Sequence, residues 1–134
     1  MTDHATVRDW VSRYERAWRT SGTNGLLSLF TPGATYLHSP YSEPVVGIGA
    51  IQEMWEADRE GPDEAFTITT DIVAVEGQTA VVRAEVRYGE PVRQEYRDLW
   101  VLRIDDDGRC DWFEEWPYWP GRPYSARNAE PEGA

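Results

Sequence analysis

An α+β fold is what this chain predicts, and three observations carry the prediction. Apolar residues recur at helical spacing only in roughly the first 60 positions. From residue 66 onward the pattern changes to strict alternation, the signature of half-buried strands. An Asp-Asp-Asp-Gly stretch at 105–108 then joins two aromatic-rich arms, 95–104 and 109–119, into a β-hairpin, since Asp-Gly tolerates positive φ. Helices followed by a run of strands indicate helices laid on one face of a curved, mostly antiparallel sheet. Its 134 residues suffice for one substantial core. The domain is expected over residues 1–119, with 120–134 a polar tail containing Pro and Gly.

In the first helix, residues 5–20, Val7, Trp10, Val11, Tyr14, Ala17 and Trp18 share one side; Asp3 or Thr2 caps it and Ser21-Gly22 stops it. Leu26, Leu27, Leu29 and Phe30 make a short second helix that Pro32-Gly33 halts. A strand is expected over 34–39, then a loop from Pro40 to Pro44. The third helix opens at Gly49, buries Ile51, Met54 and Trp55, and ends at Gly61-Pro62. Strands over 66–75 and 80–88 turn at Glu76-Gly77-Gln78, and Gly89-Glu90-Pro91 leads into the hairpin.

The net charge is −11, and all 13 basic residues are arginines. An acidic surface without basic clusters argues against nucleic-acid and anionic-membrane partners. Cys110 is the single cysteine, which excludes an intrachain disulfide and a multi-cysteine metal site. No apolar run approaches a membrane span and the N-terminus is polar, so a cytoplasmic location is expected. No nucleotide-binding glycine loop occurs. Neither a metal nor another cofactor is expected.

The order of elements, with Trp18 through Leu26-Leu-Ser-Leu-Phe30, Gly33-Ala-Thr-Tyr36, Ser39-Pro40, Gly47-Ile-Gly-Ala-Ile51 and Asp106-Asp-Gly108 leading to Glu115-Trp116, resembles the nuclear transport factor 2-like superfamily, in its SnoaL-like and ketosteroid isomerase-like branch. The resemblance spans residues 7 to about 119. It implies a cone: a strongly curved sheet wrapped around three N-terminal helices, a pocket at the wide end, and common dimerisation. Chemistry varies widely within the superfamily, which includes isomerases, cyclases, hydrolases and non-catalytic binders.

By alternation, Tyr96, Asp98, Trp100, Leu102 and Ile104 share one face of the first hairpin arm, and Cys110, Trp112, Glu114, Trp116 and Tyr118 share one face of the second. That face has the character of a small-ligand pocket, with apolar walls and a few placed polar groups. The aromatic count points the same way, because buried indole N–H groups need partners. The expected ligand-binding residues are Trp18, Tyr36, Trp55, Tyr96, Trp100, Trp112, Glu114 and Trp116, around a small apolar or aromatic molecule. Glu114 and Glu115 point to opposite faces, and a bulge would exchange them.

Asp98 is a catalytic candidate, since a carboxylate on an apolar face needs a partner or a raised pKa. Its position also resembles the cavity-facing polar mid-strand residue of SnoaL-like proteins. The ketosteroid isomerase resemblance implies a general-base aspartate before a proline, but this chain has Ser39 before Pro40. A serine hydroxyl is no base near neutral pH without activation. His38, one residue earlier, is the alternative base. Tyr14 matches the family's first-helix tyrosine and is a candidate oxyanion donor. Arg97-Asp98 resembles part of the limonene epoxide hydrolase set, but adjacent strand residues face opposite ways.

The opposite sheet face is apolar centrally, at Val73, Val75, Val81, Leu99, Val101 and Phe113, where a solvated face should be polar. This predicts a homodimer through Val73, Val81, Leu99, Val101 and Phe113. The functional expectation is a ligand-binding SnoaL-like domain. One alternative is a cofactor-free isomerase, cyclase or dehydratase using Asp98 or His38 as base; another is a dimeric interaction protein without ligand.

Overall fold

The computed structural model describes residues 2–58 and 65–121. The elements run α1 (His4–Arg19), α2 (Leu26–Leu29), β1 (Phe30–Leu37), β2 (Val45–Val46), α3 (Ile48–Asp58), β3 (Phe66–Glu76), β4 (Thr79–Tyr88), β5 (Gln94–Ile104) and β6 (Cys110–Tyr118). They form one curved six-stranded sheet in the order β2-β1-β6-β5-β4-β3, with the helices packed on it. Every neighbouring pair is antiparallel except β1 and β6. The α+β expectation and the wrapped sheet are therefore correct. The helix stop expected at Gly61-Pro62 and the tail beyond residue 121 lie outside the described residues. No helix among the described residues is long and apolar enough to cross a membrane.

Asp3 caps α1, its carboxylate accepting from the Thr6 backbone N–H at 2.9 Å, which satisfies one of the orphan donors of the first turn. The apolar side of α1 buries Val7 and Trp10 completely, and the Trp10 indole donates to the Leu29 carbonyl at 2.9 Å. Full burial of such side chains stabilises by roughly 1.5–3 kcal/mol each. At the other end of α1, Arg19 lies over the Phe66 ring at 3.9 Å and donates to the Phe66 carbonyl at 3.0 Å. The helix is thereby tied to the start of β3.

One local expectation fails near the second helix. Pro32-Gly33 do not follow a helix end but lie inside β1, which begins at Phe30. The registered β1–β6 pairs skip from Phe30 to Thr35, and β2 reaches only Thr35 and Tyr36. The proline therefore sits where no ladder hydrogen bond is asked of it.

Two bulges correct the facing of the strands. In β3, Ile72 opposes Val82 and Ala74 opposes Val81, so Val73 is the extra residue. In β6, Cys110 opposes Ile104 and Trp112 opposes Arg103, so Asp111 is extra. An extra residue reverses the alternation beyond it. Val75 accordingly packs against the core instead of facing out, and Phe113, expected on the dimer face, is 0% exposed. Trp112, Glu114 and Trp116 stand on the outer face, beside Arg103, Val101 and Leu99.

The hairpin turn holds this register. Asp105 Oδ1 accepts from the backbone N–H of Asp107 and Arg109 at 2.9 and 3.0 Å. Gly108 takes φ +79°, where only glycine is unstrained. Arg13 then bonds the Gly108 and Ser28 carbonyls, both at 2.8 Å, joining the turn to α1 and α2.

Candidate functional site

An open cavity of about 410 Å³ lies between the concave sheet face and α1 and α3. Its sheet wall is an aromatic ladder across consecutive strands. Phe66, Tyr88, Tyr96 and Trp119 stand with successive ring centroids 5.9, 6.2 and 5.7 Å apart. The helices contribute Tyr14, Trp18, Met54 and Asp58, β1 contributes Tyr36, and His38 follows directly after β1. Trp100 and Glu115 complete the inner end.

The chemistry gathers there. Glu115 Oε2 accepts the Tyr36 hydroxyl proton at 2.8 Å. Tyr36 is hydrogen-bonded in turn to Tyr14; since a hydroxyl has one proton to give, Tyr14 is the donor of that bond. Glu115 is also hydrogen-bonded to Asp98. The Asp98 carboxylate accepts the Trp100 indole N–H at 3.0 Å and the Trp116 backbone N–H at 3.1 Å. Asp98 is 3% exposed and Glu115 9%.

This wiring assigns the protons. Burial raises both carboxyls above their ordinary values; Glu115 is raised furthest, first by burial and then by its bond to Asp98 and that group's charge. Two N–H donors point at Asp98, which favours its charged form, and Glu115 has none but the tyrosine hydroxyl. The pair therefore holds one proton, resident on Glu115 and shared toward Asp98. Burial, followed by the Glu115 charge, keeps the Tyr14 and Tyr36 hydroxyls protonated far above the usual phenol range. The inner end is a hydrogen-bond relay that can give or take a proton.

His38 stands at the mouth, its Nε2 3.0 Å from Asp58 Oδ2. Of the expected site residues, the cavity brings together Tyr14, Trp18, Tyr36, His38, Tyr96 and Trp100. Asp98 sits directly behind Glu115. Trp55 lies behind the wall, fully buried, with its ring edge-on to Tyr14 at 5.3 Å and Trp18 at 4.9 Å. Trp112, Glu114 and Trp116 are absent from the cavity; on the outer face both indoles donate to the Glu114 carboxylate, at 2.9 and 2.5 Å. The Asp111 bulge is the reason. Sequence reasoning missed Glu115 as the inward residue, and it missed Phe66, Tyr88, Trp119 and Asp58. The alternating pattern of β3 and β4 carried a signal for Phe66 and Tyr88; nothing at the end of α3 marked Asp58. Among the described residues no group of three or more His, Cys, Asp or Glu is placed to hold a metal ion.

A helix-filled, curved sheet with a polar relay at the inner end of an aromatic cavity defines the cone-shaped α+β class. The sequence pattern of the SnoaL-like domain family matches residues 11–111, and the chain belongs to that family. No curated protein matches it. Among solved structures it is similar to the epoxide hydrolase/cyclase-like enzyme SalBIII of salinomycin pyran ring formation (TM-score 0.70, 17% identity, 88% of this chain and 95% of that one). It is also similar to a protein from Jannaschia sp. CCS1 described as a SnoaL-like polyketide cyclase (0.68, 16%, 87% and 91%). A third is a computationally designed 17-OHP binder (0.66, 12%, 87% and 93%). At these identities the likeness shows the fold alone.

Proposed function

We propose that this protein is an acid–base enzyme for a small, flat, largely apolar molecule carrying an oxygen function, in an isomerisation, cyclisation or dehydration. The observation that carries the reading is the buried Glu115–Asp98 pair, which faces the cavity through Glu115 and is extended by Tyr36 and Tyr14. Glu115 gives its proton to the ligand oxygen, Asp98 stabilises the proton on Glu115 between turnovers, and the Tyr36 hydroxyl, backed by Tyr14, steadies the Glu115 carboxylate that the transfer leaves. The aromatic ladder orients a flat ligand by stacking. Cyclase and hydrolase chemistry in the named neighbours is compatible with this reading.

A test pairs binding with turnover. Planar ketones, hydroxyketones, phenols and epoxides are titrated against tryptophan fluorescence, and those that bind saturably are incubated and followed by mass spectrometry. Glu115→Gln and Asp98→Asn are expected to lower kcat by about 10²–10⁴-fold, as general acid–base groups do, with binding retained. Turnover untouched by both substitutions would sink the reading. Binding without turnover across the panel would establish the second reading, a binding protein, which the fully hydrogen-bonded relay also suits.

A second copy of the chain is the proposed partner, seated on the outer sheet face. Leu99, 36% exposed, pairs with Trp116 at 40%, and on the same face Val101 pairs with Val81, an apolar stretch unusual for a solvated face. Light scattering should give a dimer for the native chain and a monomer for Leu99→Arg. A monomer in both would remove the proposal.

A further inference from the structure

Resting on the acid–base reading, we infer that the mouth of the cavity holds a second proton-handling station, His38 positioned by Asp58, which works as a base on the end of the substrate farthest from Glu115. The two side chains come from separate elements, one directly after β1 and the other at the last residue of α3, and both line the cavity. Their Nε2–Oδ2 distance is 3.0 Å. Asp58 accepts the Nε2 proton, which leaves the lone pair, and hence the basicity, on Nδ1.

Folding stability does not account for the pair. His38 and Asp58 side chains are 41% and 48% exposed, and an ion pair in that setting contributes little to folding. The exposure serves a base instead, because water can take its proton away after each turnover. The imidazole also lies 5.1 Å from the Tyr36 ring, so the base stands beside the relay. The charge of Asp58 is one of the causes that raise Glu115, so the two stations sense one another.

The division of labour is chemically balanced. His38 Nδ1 takes a proton from a carbon of the substrate, and the C–H electron pair moves into the substrate framework. The oxygen at the other end receives the Glu115 proton as its bonding electrons arrive. The imidazolium returns its proton to solvent, and solvent reprotonates the carboxyl pair. Asp58 touches no substrate in this scheme; it is a positioning residue that fixes the tautomer and ring orientation of His38.

The test uses 5-nitrobenzisoxazole, a planar carbon acid. A base removes its ring C–H proton, the N–O bond breaks, and a coloured phenolate is released. The native chain is expected to open it above the buffer rate, with His38→Gln and Asp58→Asn each lowering kcat by at least about tenfold while KM changes less than about twofold on the same argument. Asp58→Glu should recover part of the rate. Nitrogen-15 NMR of the imidazole should show the Nε2–H tautomer in the native chain and a mixture in Asp58→Ala. A native rate equal to buffer, or full activity in Asp58→Asn, overturns the inference. Loss in Glu115→Gln with no loss in Asp58→Asn does so as well, yet leaves the Glu115–Asp98 reading intact. Loss in the His38 and Asp58 variants with none in Glu115→Gln supports the mouth station and counts against that reading.

Discussion

Strands β5 and β6 are neighbours of similar composition, yet only one of them can be read by counting. Against β4, β5 runs in unbroken register from Gln94 opposite Tyr88 to Arg103 opposite Thr79. Its alternation is intact, so Tyr96, Asp98, Trp100, Leu102 and Ile104 all face inward. In β6 the extra Asp111 reverses the count. Phe113 and Glu115 turn inward, and Trp112, Glu114 and Trp116 turn outward. One residue thus decides which glutamate meets Asp98 and where three of the aromatic rings go. Pocket chemistry here depends on a backbone irregularity as much as on residue types.

The largest effect that sharpens this contrast comes from truncating the two adjacent rings of β6. Phe113 is completely buried against Trp10, Tyr36 and Trp100, and Phe113→Ala should cost about 3–5 kcal/mol through the cavity it leaves. Trp112 is the larger side chain, yet it stands on the outer face, and Trp112→Ala should cost under about 1 kcal/mol. Urea midpoints compare the two directly, and equal losses would break the register assigned to β6.

Glu115 gives a smaller, pH-dependent effect. Glu115 titrates well above an ordinary glutamate because it is buried beside Asp98. The folded chain therefore binds more protons than the unfolded one above the unfolded carboxyl range. Stability from this pair is complete below about pH 4 and falls as pH rises through the raised values, by at most about 1.4 kcal/mol per pH unit for each proton. Asp3 and Asp106 are lowered by their hydrogen bonds and partners, so they act with the opposite sign and only below that window. Denaturation at pH 5 and 7 should show a decline in the native chain and a flatter profile in Glu115→Gln. A slope that persists in Glu115→Gln would place the shared proton elsewhere.

Much of the fold was legible without coordinates because it follows from local rules. The helical stripe of α1, the Asp3 cap and the Asp-Gly turn are each set by residues within a few positions of one another. The alternation of β4 and β5 is set in the same way. The inward placement of Asp98 follows from that alternation. The helical stripe likewise sets Tyr14 and Trp18 on one side of α1, and the resemblance to the SnoaL-like family rests on the ordered short motifs.

What the chain alone left open were matters of register and meeting. Val73 and Asp111 look like ordinary strand residues, and only pairing with β4 and β5 makes them bulges. The encounter of Asp98 with Glu115, and of His38 with Asp58, joins positions that no short-range pattern links. Each pair meets because separate elements close on one core, where fitting Phe113, Trp100 and Trp10 together outweighs strict alternation in β6. Residue types announced a pocket; the packed backbone chose which carboxylates share its proton.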